Sequence, residues 1–100
     1  MSKALDALDN VKEAYNTLAE AKRRLAKYEH DKSYVLNSSR YDIRMSATEK
    51  ITESRIEEQA RICGVYRDAC DSYEEGIEEV TKAEGELFYA KALYDITKEG

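Results

Sequence analysis

Proline and tryptophan are missing from this 100-residue chain, glycine occurs four times, cysteine twice, and histidine once. Without proline, and with so little glycine, almost nothing punctuates a helix, so an all-α reading follows. One histidine and two cysteines make a poor ligand set, and neither a metal nor a cofactor is expected. No stretch approaches the roughly 20 apolar residues needed to cross a bilayer, and the amino terminus lacks the basic-then-apolar order of a signal peptide. The expectation is a cytoplasmic protein with no membrane partner. A Gly-rich phosphate loop, HExxH, CxxC and a nucleophile elbow are all missing, which argues against an enzyme and against a small-molecule substrate.

What the chain does have is a seam. Ile56, Cys63, Cys70 and Ile77 recur every seven residues, and Tyr66, Tyr73, Val80, Leu87 and Tyr94 form a second row three residues further on. This is an a/d pattern, interrupted at Gln59 and Glu84, and it predicts a packing seam on one long helix. Three of its positions are tyrosines, which suit a somewhat wet partner surface. Cys63 and Cys70 lie roughly 10 Å apart along such a helix, too far for a disulfide, and read as small seam residues.

The preceding half pairs with this seam. Leu8, Val11, Tyr15, Leu18 and Leu25 keep a three-to-four spacing, with alanines adding helix propensity and Ser2 in place as an N-cap. The predicted architecture is a long antiparallel helical hairpin, coiled-coil-like, as one domain over 1–100. A helix over 3–46 carries a soft spot near 37–39, where Asn37-Ser38-Ser39 are poor helix formers. A turn over 47–53 precedes a second helix over 54–98, capped by Thr52 or Ser54, with Ser54-Arg55-Ile56-Glu57 matching a capping box. Lys22, Glu29 and Lys32 interrupt the first arm's seam. That polar notch either admits another helix or is covered by lysine stems lying over apolar surface. So thin a hairpin buries little surface per residue, and a homo-oligomer is expected to supply the rest.

Charged residues make up 37% of the chain, and the net charge of −5 conceals a division. Residues 20–55 carry nine basic and six acidic side chains, whereas residues 56–100 carry five basic and twelve acidic. The basic half interleaves cations with tyrosines. Lys22, Arg23, Arg24, Lys27, Arg40 and Arg44 could follow a phosphate backbone, with Tyr34 and Tyr41 as stacking platforms, a pattern suited to sequence-tolerant binding of single-stranded DNA. A solvated, mixed-charge face is the alternative account of the same residues. The acidic run from Glu74 to Glu86 is either a solubilising face or a dock for a basic partner.

The order Lys50-Ile51-Thr52-Glu53-Ser54-Arg55-Ile56, then Tyr66-Arg67-Asp68-Ala69, then Ala83-Glu84-Gly85-Glu86-Leu87 and Ala90-Lys91-Ala92-Leu93 resembles small helical-hairpin proteins of tailed bacteriophages, similar to UvsY-type recombination mediators. The resemblance spans roughly residues 20–98. It implies homo-oligomers that bind single-stranded DNA and help load a recombinase onto strands coated by single-strand-binding protein, in the host cytoplasm of a phage. The known mediators are more basic than this acidic chain, a difference that favours protein contacts. The competing expectation is a non-enzymatic coiled-coil interaction protein without nucleic-acid binding: an assembly adaptor, a virion component or a protein inhibitor. Secreted hairpins of the WXG100 type carry a Trp-x-Gly turn that this chain lacks.

Overall fold

The computed structural model of the protein describes residues 2–99, which form three helices, α1 (Lys3–Ser46), α2 (Glu53–Ile62) and α3 (Gly64–Glu99). The single domain expected over 1–100 divides into two compact units. One joins the chain up to Leu25 with the chain from Gly76 onward, and the other is Ala26–Glu75. Side chains on paired helices touch only those within a turn or two, so contacts stay local. Within each unit a stretch of α1 runs antiparallel to the later helices, and the all-α helical hairpin is the fold.

In the first unit, two seven-residue rows on each helix fill the seam. On α1 they are Ala7, Ala14, Ala21 and Val11, Leu18, Leu25; on α3 they are Ala83, Ala90 and Val80, Leu87, Tyr94, preceded by buried Gly76. Each helix thus contributes one small and one large residue per heptad. Small residues lower the steric limit on how closely two helices can approach, while Val, Leu and Tyr fill the space beside them. The antiparallel register is visible at the edges, where Arg24 Nε donates to Glu79 at 3.0 Å and Lys91 Nζ lies 4.9 Å from the Tyr15 ring centroid.

In the second unit the buried residues are fewer, with Ile56, Ala60 and Tyr66 as the large or central ones. Thr52 caps α2 by accepting the Arg55 N–H on Oγ1 at 3.3 Å. The helix therefore begins two residues earlier than a Ser54 cap would place it, and Glu57 is free for other contacts. Residues Asn37-Ser38-Ser39 stay helical. Asn37 Oδ1 accepts from Arg40 and Ser39 Oγ reaches Cys63 Sγ at 3.9 Å, so two of these side chains face neighbours instead of competing for their own backbone. At the polar notch, Lys32 Nζ lies 4.4 Å over the Tyr73 ring, while Lys22 and Glu29 are exposed.

The continuous second helix expected over 54–98 is corrected by a break at Cys63. That residue is extended (φ −62°, ψ 136°), with its N–H bonded to the Ala60 carbonyl and its own carbonyl accepting the Arg67 N–H at 3.0 Å. It closes α2 and opens α3. The reason lies in the phase of the apolar pattern. From Ile56 and Ala60 an unbroken helix would next bring Cys63 or Gly64 and then Arg67 into the seam, whereas Tyr66 and later Gly76, Val80 and Ala83 are buried. One extended residue resets the phase and keeps Arg67 in solvent. Gly64 favours the break because it is a poor helix former, about 1 kcal/mol worse than alanine. The row Ile56, Cys63, Cys70, Ile77 belongs to the phase before the break, which is why Cys63 and Cys70 are half-buried and Ile77 is exposed.

Two substitutions two residues apart test the small-residue seam. Ala83→Leu should overpack it and cost about 1–3 kcal/mol. Gly85→Ala, on the open side where an added Cβ meets nothing within 4 Å, should stabilise by about 0.5–1 kcal/mol. Thermal melts followed by circular dichroism should move in opposite directions, and a neutral Ala83→Leu would show that the small row is not needed for close approach.

Candidate functional site

The cations singled out from the sequence all lie on α1, and the structure gives them unequal tasks. In the first unit Arg24 pairs with Glu79 and lies 4.0 Å from Glu20, while Lys22 and Arg23 have no ion-pair partner among the described residues. Arg24, Glu79, Thr17, Lys82 and Glu86 line a shallow concavity of about 180 Å³ over Ala21 and Ala83. Its mixed charge leaves little net attraction for an anion.

In the second unit Arg40 and Arg44 turn toward α2. Both Nε and Nη2 of Arg40 reach Glu57 Oε2, and Arg61 Nε donates to the other oxygen of the same carboxylate at 2.7 Å. Arg44 holds Glu53 in the first turn of α2. These contacts tie α2 to α1 in a unit with few buried residues. The Arg40 hydrogen bond, aided by Arg61, holds the Glu57 carboxyl below the usual carboxylate range, and Glu57 in turn raises Arg40. A carboxylate with a lowered folded pKa adds stability above its unfolded value and loses that contribution as pH falls through the folded value. Acidification below about pH 4.3 should therefore loosen α2 before the alanine-rich seam of the other unit. Backbone amide spectra of Glu53–Ile62 in an acid titration would read this, and simultaneous loss of both units would refute it.

Lys27, Tyr34 and Tyr41 remain open on α1. They stand seven residues apart, two turns or about 10 Å along the axis, with both rings mostly exposed. His30, Ser38 and Met45 are also exposed and share that face at helical spacing. The stripe offers the Lys27 ammonium, an imidazole and two phenol faces. That set is able to stack on flat rings and to meet a dispersed negative charge. Tyr34 also borders a groove of about 270 Å³ lined by Val35, Ser38, Ser39, Asp42, Cys63 and Val65. The stretch between α1 and α2 borders a further open concavity of about 570 Å³, lined by Thr48, Glu49, Lys50, Ile51, Thr52 and Arg55.

Cys63 acquires a distinct chemistry from the helix break. The Val65 and Tyr66 amides at the start of α3, followed by the Ser39 hydroxyl, hold its thiol below the ordinary range. A thiol at a helix start ionises more readily because unpaired N–H groups stabilise the thiolate. Cys63 should therefore be alkylated by iodoacetamide at lower pH than a free thiol, and Cys63→Ser should remove that early phase. A single phase at the ordinary thiol pH would contradict the assignment.

Of the expected packing seam, Ile56, Tyr66, Val80 and Leu87 are buried, Cys63, Cys70, Tyr73 and Tyr94 are half-buried, and Ile77 is exposed. The sequence reading missed two features. One is the alanine rows: Ala7, Ala14 and Ala21 read from the sequence as helix propensity and Ala83 and Ala90 as part of the resemblance, whereas both rows are the small side of the seam. The other is a second apolar face on α3, where Phe88, Tyr89 and Ile96 are exposed. Adjacent Phe88 and Tyr89 beside Leu87 signal that face, because three consecutive helical residues cannot share one seam. Among the described residues no group of three His, Cys, Asp or Glu side chains is placed to hold a metal ion, and no helix is long and apolar enough to cross a membrane. Comparison with protein-family models, curated proteins and solved structures finds no match.

Proposed function

We infer that this chain is a non-enzymatic interaction protein, a helical hairpin that acts by presenting helix faces to macromolecular partners and assembles as a homo-oligomer. The observation that carries the reading is the distribution of apolar side chains. Much of the first unit's seam is filled by alanine, whereas large residues such as Phe88, Tyr89 and Ile96 stand in solvent on its outer face. A monomer gains nothing from keeping its largest apolar groups exposed, and such patches mark surfaces that are covered in use. Arg24, Arg40 and Arg44 point the same way, because their charge is already met by carboxylates of the same chain.

The second reading is that of a recombination mediator of the UvsY type, binding single-stranded DNA and a recombinase or single-strand-binding protein. The stripe of Lys27, Tyr34 and Tyr41 favours it, with Lys22 and Arg23 as further unpaired cations. With so few unpaired cations beside the stripe, one copy binds a strand weakly, and several copies bind more tightly through multivalency.

Size-exclusion chromatography with light scattering, run with and without a labelled single-stranded oligonucleotide at low salt, separates the two. The interaction reading expects an oligomer whose mass the oligonucleotide does not change. Retention of the oligonucleotide, abolished by Tyr34→Ala with Tyr41→Ala and weakened by salt, would make the mediator reading the correct one. A monomer that retains no oligonucleotide would count against both.

A further inference from the structure

The outer face of α3 near its carboxy-terminal end carries an apolar stripe that the hairpin does not use. At about 100° per residue, Gly85, Phe88, Tyr89, Ala92, Leu93 and Ile96 fall within an arc of about 140°, opposite the seam row of Val80, Leu87 and Tyr94. Phe88 is 77% exposed, Tyr89 and Ile96 are each 69% exposed, and Leu93 is 40% exposed. No charged residue interrupts this arc between Gly85 and Ile96, a length of about 16 Å. The helix here is apolar on two sides, and α1 covers only one of them.

We propose that the Gly85–Ile96 stripe is the surface through which a second copy of this chain docks, forming a symmetric dimer. This deepens the interaction reading above and rests on it. It also relocates self-association. The seam through Val80 and Leu87, expected from the sequence to hold copies together, is already filled by α1 within one chain.

Area and charge both point to a second copy as the occupant. Large aromatic side chains contribute about 150–250 Å² each when fully covered, so at the observed exposures the stripe offers on the order of 500 Å² per chain. That is near the upper end of what monomers leave open, about 300–600 Å². Two such stripes face to face remove about 1,000 Å², the threshold at which an interface becomes specific. Charge permits the apposition. The chain as a whole carries −5, but residues 82–98 hold three basic side chains (Lys82, Lys91, Lys98) and three acidic ones (Glu84, Glu86, Asp95). A locally neutral face meets its own copy without repulsion, as an isologous contact requires. The acidic stretch from Glu74 to Glu79 could not do so. Gly85 at the stripe's upper end has open space above it and admits a bulky side chain from the other copy.

Sedimentation equilibrium at micromolar concentration, without nucleic acid, tests the proposal on three proteins. Wild type should sediment as a dimer. Tyr89→Glu with Ile96→Glu should sediment as a monomer with unchanged helix content, since both positions are exposed in the folded chain. Ile62→Glu, equally exposed but on α2, should remain a dimer. A wild-type monomer overturns the proposal and, with it, the homo-oligomer of the reading above. An oligomer that survives the double substitution also overturns it, while leaving the interaction reading intact because self-association would then use another face. Loss of helix content in the double variant is checked by the single Ile96→Glu, whose failure to weaken the dimer would be equally decisive.

Discussion

A pair of antiparallel helices can bury one stripe per helix and no more. There is no third layer to receive what points outward, so each side chain lies in the seam, on its edges or in solvent. In the first unit evolution of the seam has taken the close-packed solution, with alanine rows against Val, Leu and Tyr. Burying a Val or Leu side chain is worth about 1.5–3 kcal/mol, and only a handful are buried in this unit. The stability available from a single seam is correspondingly modest, and large apolar groups outside it are the natural means of adding more through partners.

The same constraint explains where the cations go. Where the seam of the second unit has few buried residues, its edges are closed by Arg40 bridging to Glu57, Arg61 completing the carboxylate, and Arg44 on Glu53. Partly exposed ion pairs contribute little individually, but a carboxylate shared by two guanidinium groups fixes geometry as well as charge. Charges engaged in this way are poorly placed to follow a phosphate backbone. Among the described residues the unpaired cations of α1 are therefore fewer than its count of basic residues implies.

Cys63 shows how a local rule gives way to packing. Nothing at Cys63 demands a break by propensity alone, and Gly64 only makes one cheaper. What decides it is that Ile56 and Ala60 on one side and Tyr66 on the other must all face α1, and no single helical phase satisfies them. The consequence reaches into chemistry, because the new helix start directs two amides at the Cys63 sulfur and draws in Ser39.

Composition and periodicity alone determined that the chain is all-α, that α1 ends at Ser46 and that the direction reverses in the following few residues. The reason is that each depends on near neighbours: propensity, the lack of proline, and the shift to Ser, Thr and Lys around Ala47–Thr52 are properties of short stretches. The row of Tyr66, Val80 and Leu87 was legible for the same reason. Only the tertiary structure decided which of two overlapping apolar rows is buried, that alanine and glycine rather than Ile77 occupy the small side of the seam, and that Arg24, Arg40 and Arg44 are matched to carboxylates 55, 17 and 9 residues away. Those outcomes depend on what stands opposite each residue in the register of two antiparallel helices, and that register is a property of the pair, which neither helix carries in its own spacing.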